Sequence, residues 1–228
     1  MKKIVVFTGA GMSAESGINT FRDSGGLWEQ HRIEDVATPE AFRRDPALVL
    51  DFYNQRRKQV IAAFPNEAHK SLVTLEEKFD VHIITQNIDD LHERAGSSKV
   101  LHLHGEIRKS RSSVDPSLIY NIDGWELKIG EKCEGGSQLR PYIVWFGEMV
   151  PAMAEAELIT QSADIFIIIG TSLEVYPAAN LVDHASEKIP KFLVDPKAKP
   201  LHWINNLEII KEKAGVGIPA LVTNLLNN

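Results

Sequence analysis

Cysteine is almost absent from this chain: Cys133 is the only one among 228 residues. An intrachain disulfide is therefore excluded, and such sparing use of cysteine fits a reducing compartment, so a cytoplasmic location is expected. An excess of basic charge is also missing. Lys and Arg total 25 against 31 Asp and Glu, for a formal net charge of −6. Nucleic acid and anionic membranes both select a basic surface, so neither is expected as a partner. Long apolar runs are missing too, and none approaches the roughly 20 residues of a membrane span. The start, Met1-Lys2-Lys3-Ile4-Val5-Val6-Phe7, imitates a secretory leader only faintly, because its apolar run stops at a glycine turn. Repeats and low-complexity tracts are lacking. The length suits one substantial core with room for a small extra module.

The most informative stretch follows that first apolar run. Ile4-Val5-Val6 reads as a buried strand, and Gly9-Ala10-Gly11 as a tight turn whose backbone N–H groups approach a phosphate closely. Ser13 and Ser16 are candidate caps where a helix begins. A strand, a glycine turn and a helix start together suit a dinucleotide. The usual G-x-G-x-x-G fingerprint is incomplete, since Ala14 stands at the third glycine, and a plain turn into a helix is the competing reading. Phe21-Arg22, on a polar loop beyond the turn, suit a lid carrying a stacking ring and a cation.

Strand and helix patterns then alternate. Helices are predicted from Asp45-Pro46 to about Phe64, over 67–79, 89–95, 151–162, within 173–187, and over 219–226. Strands are predicted over 81–85, 100–103, 164–169 and 191–194. The fold class expected is α/β, a doubly wound, Rossmann-like parallel sheet. Residues 107–140 break the alternation. There, Ile119 to Ile122, Asp123-Gly124 and Trp125 to Ile129 read as a β-hairpin in a small inserted β module.

Polar clusters stand where open α/β sheets bind ligands, at the carboxyl ends of strands. They are Gln86-Asn87-Ile88-Asp89, His104-Gly105 and Gly170-Thr171-Ser172. Each alone has a plainer explanation: a helix cap for Asp89, a core histidine for His104, a turn for Gly170 to Ser172. Tyr53 and Arg56 share a helix face and form a candidate carboxylate clamp. The alternative is that Arg56-Arg57-Lys58 is a solvated basic stripe with Tyr53 half in the core.

Taken together, Gly9-Ala10-Gly11-x-Ser13-x-x-Ser16-Gly17-Ile18, Phe21-Arg22, Gln86-Asn87-Ile88-Asp89, His104-Gly105, Trp145-Phe146-Gly147-Glu148 and Gly170-Thr171-Ser172 resemble the sirtuins, NAD-dependent protein lysine deacylases. The motifs run in order over nearly the whole chain. Asn19 stands where the family usually has proline, and Asp195 where many members place an asparagine near the adenosine ribose. The resemblance implies one catalytic domain over 1–228. Its larger, Rossmann-like part covers 1–106 and 141–228, and a small module around 107–140 is joined by a helical part around 24–65.

NAD is the cofactor implied, and acyl-lysine proteins or peptides are the implied partners. The cofactor contacts implied are Gly9, Ala10, Gly11, Ala14, Phe21, Arg22, Gln86, Asn87, Asp89, Gly170, Thr171, Ser172, Asp195 and Ala214. Among them the Gly9–Gly11 turn and Ser172 take the diphosphate and ribose, Gln86 and Asn87 the nicotinamide ribose, and Asp89 the nicotinamide amide. His104, Asn87 and Arg22 are the implied catalytic residues, with His104 as general base for attack of the ribose 2′-oxygen on an alkylimidate. Val144, Phe146, Gly147 and Glu148 would pair with substrate as an added strand. Tyr53-x-x-Arg56, together with Met12 and Ala14, looks like the subgroup that removes succinyl and malonyl groups.

One departure is substantial. The family orders its small module with four zinc thiolates, but only Cys133 is available, and Ser110 and Ser113 stand where a first pair would sit. Zinc is therefore expected to be absent, with the Ile119, Ile122, Trp125, Leu127 and Ile129 cluster ordering the module instead. Two rival functions remain: a non-catalytic NAD or ADP-ribose binding module, and a mono-ADP-ribosyltransferase on the same fold.

Overall fold

The computed structural model describes residues 1–18 and 31–227. Six strands form a parallel sheet in the order β3-β2-β1-β7-β8-β9. They are β1 (Lys3–Thr8), β2 (Asp80–Thr85), β3 (Val100–His102), β7 (Ile165–Ile169), β8 (Lys191–Val194) and β9 (Leu207–Ile210). The chain winds outward from β1 in one direction, then returns to β7 on its other side and winds outward again. The switch point lies between β1 and β7, where such sheets open a ligand crevice.

The period of two along β1 explains its unbroken apolar run. Ile4 and Val6 join one core, with Leu72 and Leu75 of one helix and Ile218 and Leu221 of another. Val5 and Phe7 join a second core on the opposite face, with Ala156 and Leu181. The helices below this sheet are α5 (Glu67–Leu75) and α9 (Ala214–Asn227), and those above are α7 (Met153–Gln161) and α8 (Leu181–His184). A strand buried on both faces has no polar side to alternate with.

A second, antiparallel sheet has the order β5-β4-β6, from β4 (Gly105–Ser112), β5 (Ile119–Asn121) and β6 (Leu139–Ile143). It shares a third core with α2 (Ile33–Val36), α3 (Pro39–Arg44) and α4 (Pro46–Ala62), through Val49, Leu50, Phe52, Ile107 and Leu127. Helix α4 begins as its sequence predicts: Asp45 accepts the Leu48 N–H at 3.0 Å, and Pro46 occupies the first turn.

The predicted 119–129 hairpin does not form. Gly124 does take a left-handed φ of +73°, but β5 pairs with β4 instead. Residues 125–127 spend their backbone groups on α4. The Asn54 amide donates to the Leu127 carbonyl (3.0 Å) and accepts the Leu127 N–H (2.9 Å), while Arg57 donates to the Trp125 carbonyl (2.8 Å). Nor is 56–58 a solvated stripe, since Arg57 is fully buried and also donates to the Ile107 carbonyl at 2.6 Å. Burial lowers its pKa to about 10, which leaves it cationic at neutral pH.

The helix expected within 173–187 is α8, which follows a short turn over Ala178–Asn180; Leu173 takes a φ of +55° and cannot start a right-handed helix. The last helix starts at Ala214 rather than Pro219. Gly217 lies inside it because a Cβ there would sit 2.6 Å from Val194 Cγ1, so glycine serves close helix–sheet packing.

Beneath the switch point is a buried polar cluster. Thr8 donates to Thr85 (2.8 Å) and lies 3.2 Å from His92 Nε2, and the His92 ring packs on His69 at 4.8 Å between centroids. Burial lowers the pKa of His69 to about 4 and that of His92 well below 6.5. The unfolded chain therefore takes up protons below its ordinary value near 6.5 that the folded chain refuses. Stability is expected to fall as pH drops through that window, with a slope approaching ~1.4 kcal/mol per pH unit for each histidine. Urea unfolding at about pH 7 and about pH 5 checks this, and equal stabilities at both would contradict it.

Candidate active site

The sheet register aligns four strand ends. Thr8 lies opposite both Thr85 and Ile169, and Thr85 opposite His102. The next residues along each strand are therefore brought to one edge: Gly9, Gln86, Leu103 followed by His104, and Gly170.

The loops after β1 and β7 touch backbone to backbone. A Cβ on Gly9 would meet the Gly170 carbonyl oxygen at 2.8 Å, one on Gly11 would meet Gly170 Cα at 2.6 Å, and one on Gly170 would meet the Gly11 carbonyl carbon at 2.5 Å. Two of the three backbone N–H groups of the Gly9–Gly11 turn are engaged within the fold. Gly9 N–H donates to the Ile169 carbonyl and Gly11 N–H to the Gly170 carbonyl, each at 2.9 Å. The glycines knit the two loops together. Ala10 between them is exposed, and its N–H has no partner among the described residues. An unpaired N–H at an exposed turn is a group that a phosphate oxygen can engage.

Among the described residues neither serine caps a helix. Helix α1 (Gly11–Ala14) begins after Ala10 with no side-chain cap, and Ser13 lies within it. Ser13 instead donates to Asp89 (2.9 Å) and accepts from the Asn87 side-chain amide (3.1 Å), while Ser16 accepts from Asn66 (3.1 Å). Asn87 also donates to the Gly9 carbonyl at 3.0 Å. Ser13 thus links the glycine turn to the loop after β2, a role that its cap-like position in the sequence disguised. Burial raises the Asp89 pKa, opposed by bonds from Ser13 and from the Leu91 N–H. Gln86 donates to the Thr171 hydroxyl at 3.0 Å, tying the same loop to the loop after β7.

His104 lies just past β3 and is half-buried. Its Nδ1 is 3.0 Å from the Gln86 carbonyl oxygen. A carbonyl only accepts, so Nδ1 carries the proton and Nε2 presents a bare lone pair. Burial lowers the His104 pKa, with the Gln86 bond opposing, so the ring is neutral at pH 7. Its geometry is that of a base held in one tautomer.

Tyr53 reaches from α4 to Trp145 in the 144–148 loop, and Arg56 lies on the same helix with its guanidinium 5.9 Å from the Phe52 ring centroid. Tyr53 is 2% exposed, and its hydroxyl accepts from Trp145 Nε1 at 3.0 Å, which leaves the phenolic proton for an acceptor. Burial raises its pKa to about 12, so it stays a neutral donor. Arg56 is close enough to Tyr53 and Asp89 to feel both, and burial lowers its pKa. Trp145 packs on Tyr53 and Phe42, with the Arg140 guanidinium 3.3 Å from its ring centroid. Trp145 stands inside the segment expected to meet substrate, but its contact with Tyr53 and the part of Arg140 were not expected. The tryptophan's polar handle, buried beside a tyrosine, is the signal that could have found them. Met12 lies in the sheet core rather than near this pair, and Ala14 is exposed.

The 144–148 loop departs from expectation. Val144 N–H donates to the His104 carbonyl (2.9 Å) and Phe146 N–H to the Ala37 carbonyl (3.0 Å). These two N–H groups are thus engaged within the fold, and Gly147 takes a φ of +86°. Glu148 spends its side chain inside the fold. Its carboxylate accepts from Arg140 (2.7 and 2.9 Å), Arg111 (3.0 Å) and the Trp145 N–H (2.8 Å). Although burial opposes it, these bonds lower its pKa, and the ion cluster fixes the loop's shape.

Ser172 is exposed beside Thr171 at the same edge. Asp195 follows β8, and Ala214 opens α9. Asp195 accepts the Lys197 N–H at 2.7 Å, and Glu15 accepts the Gly215 N–H at 2.7 Å. Phe21 and Arg22 lie outside the described residues. In the small module, Cys133 lies 3.1 Å from the Ser137 hydroxyl, itself 2.7 Å from Ser112. One thiol among hydroxyls does not fit a zinc–thiolate centre, and no group of three His, Cys, Asp or Glu among the described residues is arranged to hold a metal ion.

Comparison with known proteins gives a consistent result. A profile described as the Sir2 family matches residues 9–177. An NAD-dependent protein deacylase of Bacteroides thetaiotaomicron is 51% identical over 226 residues, covering 97% of each chain. One of Helicobacter pylori is 52% identical over 228 residues, covering 99% of this chain and 98% of that one. A solved Sir2 homologue–NAD complex superposes with a TM-score of 0.90 at 40% identity, over 99% of this chain and 90% of that one. A Sir2 structure with a deacetylated p53 peptide and 3′-O-acetyl ADP-ribose superposes at 0.80 with 31% identity, over 98% and 92%.

Proposed function

Because this chain belongs to the Sir2 family and is an NAD-dependent protein deacylase, we propose that it removes succinyl and malonyl groups, and also acetyl groups, from protein lysines in the cytoplasm. The products are nicotinamide, free lysine and O-acyl-ADP-ribose. The observation that carries the acyl preference is Tyr53: a buried phenol whose oxygen is already engaged by Trp145, leaving its proton, beside the Arg56 cation, for a carboxylate.

In this reading the Gly9–Gly11 turn, Gly170, Thr171 and Ser172 hold the diphosphate and ribose. Gln86, Asn87 and Asp89 hold the nicotinamide half, and Asp195 and Ala214 lie by the adenosine. Bound NAD supplies an electrophilic ribose carbon with a leaving group and a 2′-hydroxyl to receive the acyl group. His104 accepts a proton at Nε2 as that hydroxyl is activated. Phe21 and Arg22, outside the described residues, are assigned to the cofactor, and the backbone of residues 144–148 to the peptide. Tests on succinyl-, malonyl- and acetyl-lysine peptides with NAD are expected to show turnover ranked toward the acidic acyl groups. Faster turnover of acetyl-lysine would overturn the preference while leaving deacylation standing.

Zinc has no part in this proposal, because a chain with one cysteine cannot supply a four-thiolate site. Elemental analysis of purified protein is expected to find well under one zinc per chain, and chelators to leave activity and Tm unchanged. Stoichiometric zinc, or a fall in Tm with chelator, would contradict it.

A further inference from the structure

Two histidines, His102 and His104, stand two residues apart and grip two successive carbonyls of the loop after β2. His104 Nδ1 takes Gln86, and His102 Nδ1 lies 2.9 Å from the Asn87 carbonyl oxygen. The difference is at the other ring nitrogen. His104 Nε2 has no partner among the described residues, whereas His102 Nε2 lies 2.7 Å from a Glu93 carboxylate oxygen on α6 (Leu91–Ala95). A carbonyl accepts only, and so does an ionised carboxylate. His102 must therefore donate from both nitrogens, which makes it an imidazolium.

We propose that His102 is a positioning residue for the NAD-reading loop: as a doubly protonated imidazolium it ties the Asn87 carbonyl to Glu93, and the tie breaks when the ring loses a proton. The proposal rests on the reading of Gln86 to Asp89 as NAD contacts. Asn87 is then fixed at both ends, its backbone by His102 and its side chain by Gly9 and Ser13. A neutral imidazole carries one N–H, so it keeps Asn87 or Glu93 but not both.

The surroundings favour the charged form. The His102 side chain is only 8% exposed, and burial alone would favour the neutral ring. Glu93, the Asn87 carbonyl and Glu106 on β4 outweigh that and raise its pKa. Among the described residues the other charged or titratable groups around it are Asp89 in the loop, His92 on α6, which is neutral, and Lys109 on β4, paired with Glu106 at 2.8 Å. A raised pKa means the tie is intact below it and is lost as pH rises through it.

Nitrogen-15 NMR of the histidine rings in the wild-type protein tests the protonation directly. At neutral pH it is expected to show both His102 nitrogens protonated and His104 as the Nδ1–H tautomer. A single protonated nitrogen on His102 would overturn the proposal, whatever the enzyme's substrate. Function is read from pH profiles of kcat/KM for NAD. His102→Asn keeps a donor in the Nδ1 position and cannot titrate, so it should retain NAD affinity and lose the alkaline limb of the wild type. His102→Gln reaches Glu93 but releases Asn87, and should raise KM for NAD roughly tenfold with a smaller change in kcat. Glu93→Gln should move the alkaline limb to lower pH. An alkaline limb in His102→Asn matching wild type, or equal KM values for the Asn and Gln variants, would reduce His102 to a structural residue.

Discussion

His104→Ala is expected to lower kcat for deacylation by ~100- to 10,000-fold, the usual worth of a positioned general base, while NAD still binds. The separation of the two effects follows from where His104 is held. Among the described residues its ring bonds only to the Gln86 carbonyl, whereas the Gly9, Gly11 and Gly170 loops are knitted together with no contribution from the ring. Loss of the imidazole thus removes a proton acceptor and leaves the anion-facing edge intact. The same geometry sets the acid side of the pH profile. Burial lowers the His104 pKa, so activity should persist below the ordinary histidine value near 6.5 before protonation of Nε2 ends it. Stopped-assay kinetics with calorimetric NAD titration check both. Near-normal turnover in His104→Ala would remove it from the mechanism.

Arg56→Met is expected to cut kcat/KM for succinyl-lysine peptide by ~30- to several-thousand-fold, as for a buried charge left without its partner at roughly 2–5 kcal/mol. Acetyl-lysine has no carboxylate, so its turnover should change far less or rise. Tyr53→Phe should act in the same direction more weakly. It removes one hydrogen bond to the ligand but also the acceptor of Trp145 Nε1, so a modest loss on both substrates is expected with the larger on succinyl. Equal losses on both substrates in Arg56→Met would mean that α4 matters for folding or access, and the clamp would have to be given up.

The parallel sheet was legible because its strands are short β-branched runs ended by glycine or polar residues, and a strand buried on both faces leaves that mark in the sequence alone. The convergence of Gly9, Gln86, His104 and Gly170 followed from topology, since each lies just past the end of a strand in one parallel sheet. Roles set by distant partners were not legible. Asp123-Gly124 announces a turn, but nothing local says that Asn54 and Arg57, some 70 residues earlier, will take the backbone groups of the next strand. Ser13 has the identity of a cap, yet its hydroxyl is claimed by Asp89 and Asn87. Glu148 sits in a substrate-facing motif, yet two arginines from the small sheet, Arg111 and Arg140, consume its carboxylate. In each case a side chain of the expected type stands at the expected place, and tertiary hydrogen bonding decides what it does. Arg57 is the extreme case, a cation within a basic triplet that turns inward because three oxygens await it.

The measurement that bears most directly on the central claim is a double-label experiment. NAD labelled in its adenosine is incubated with a peptide labelled in its succinyl group, and the products are separated by mass. Both labels are predicted to leave together in one O-acyl-ADP-ribose molecule, in equal amount to the nicotinamide and free-lysine peptide formed. Adenosine label on protein would instead indicate an ADP-ribosyltransferase. NAD bound without nicotinamide release would indicate a binding module, and either result would contradict the account.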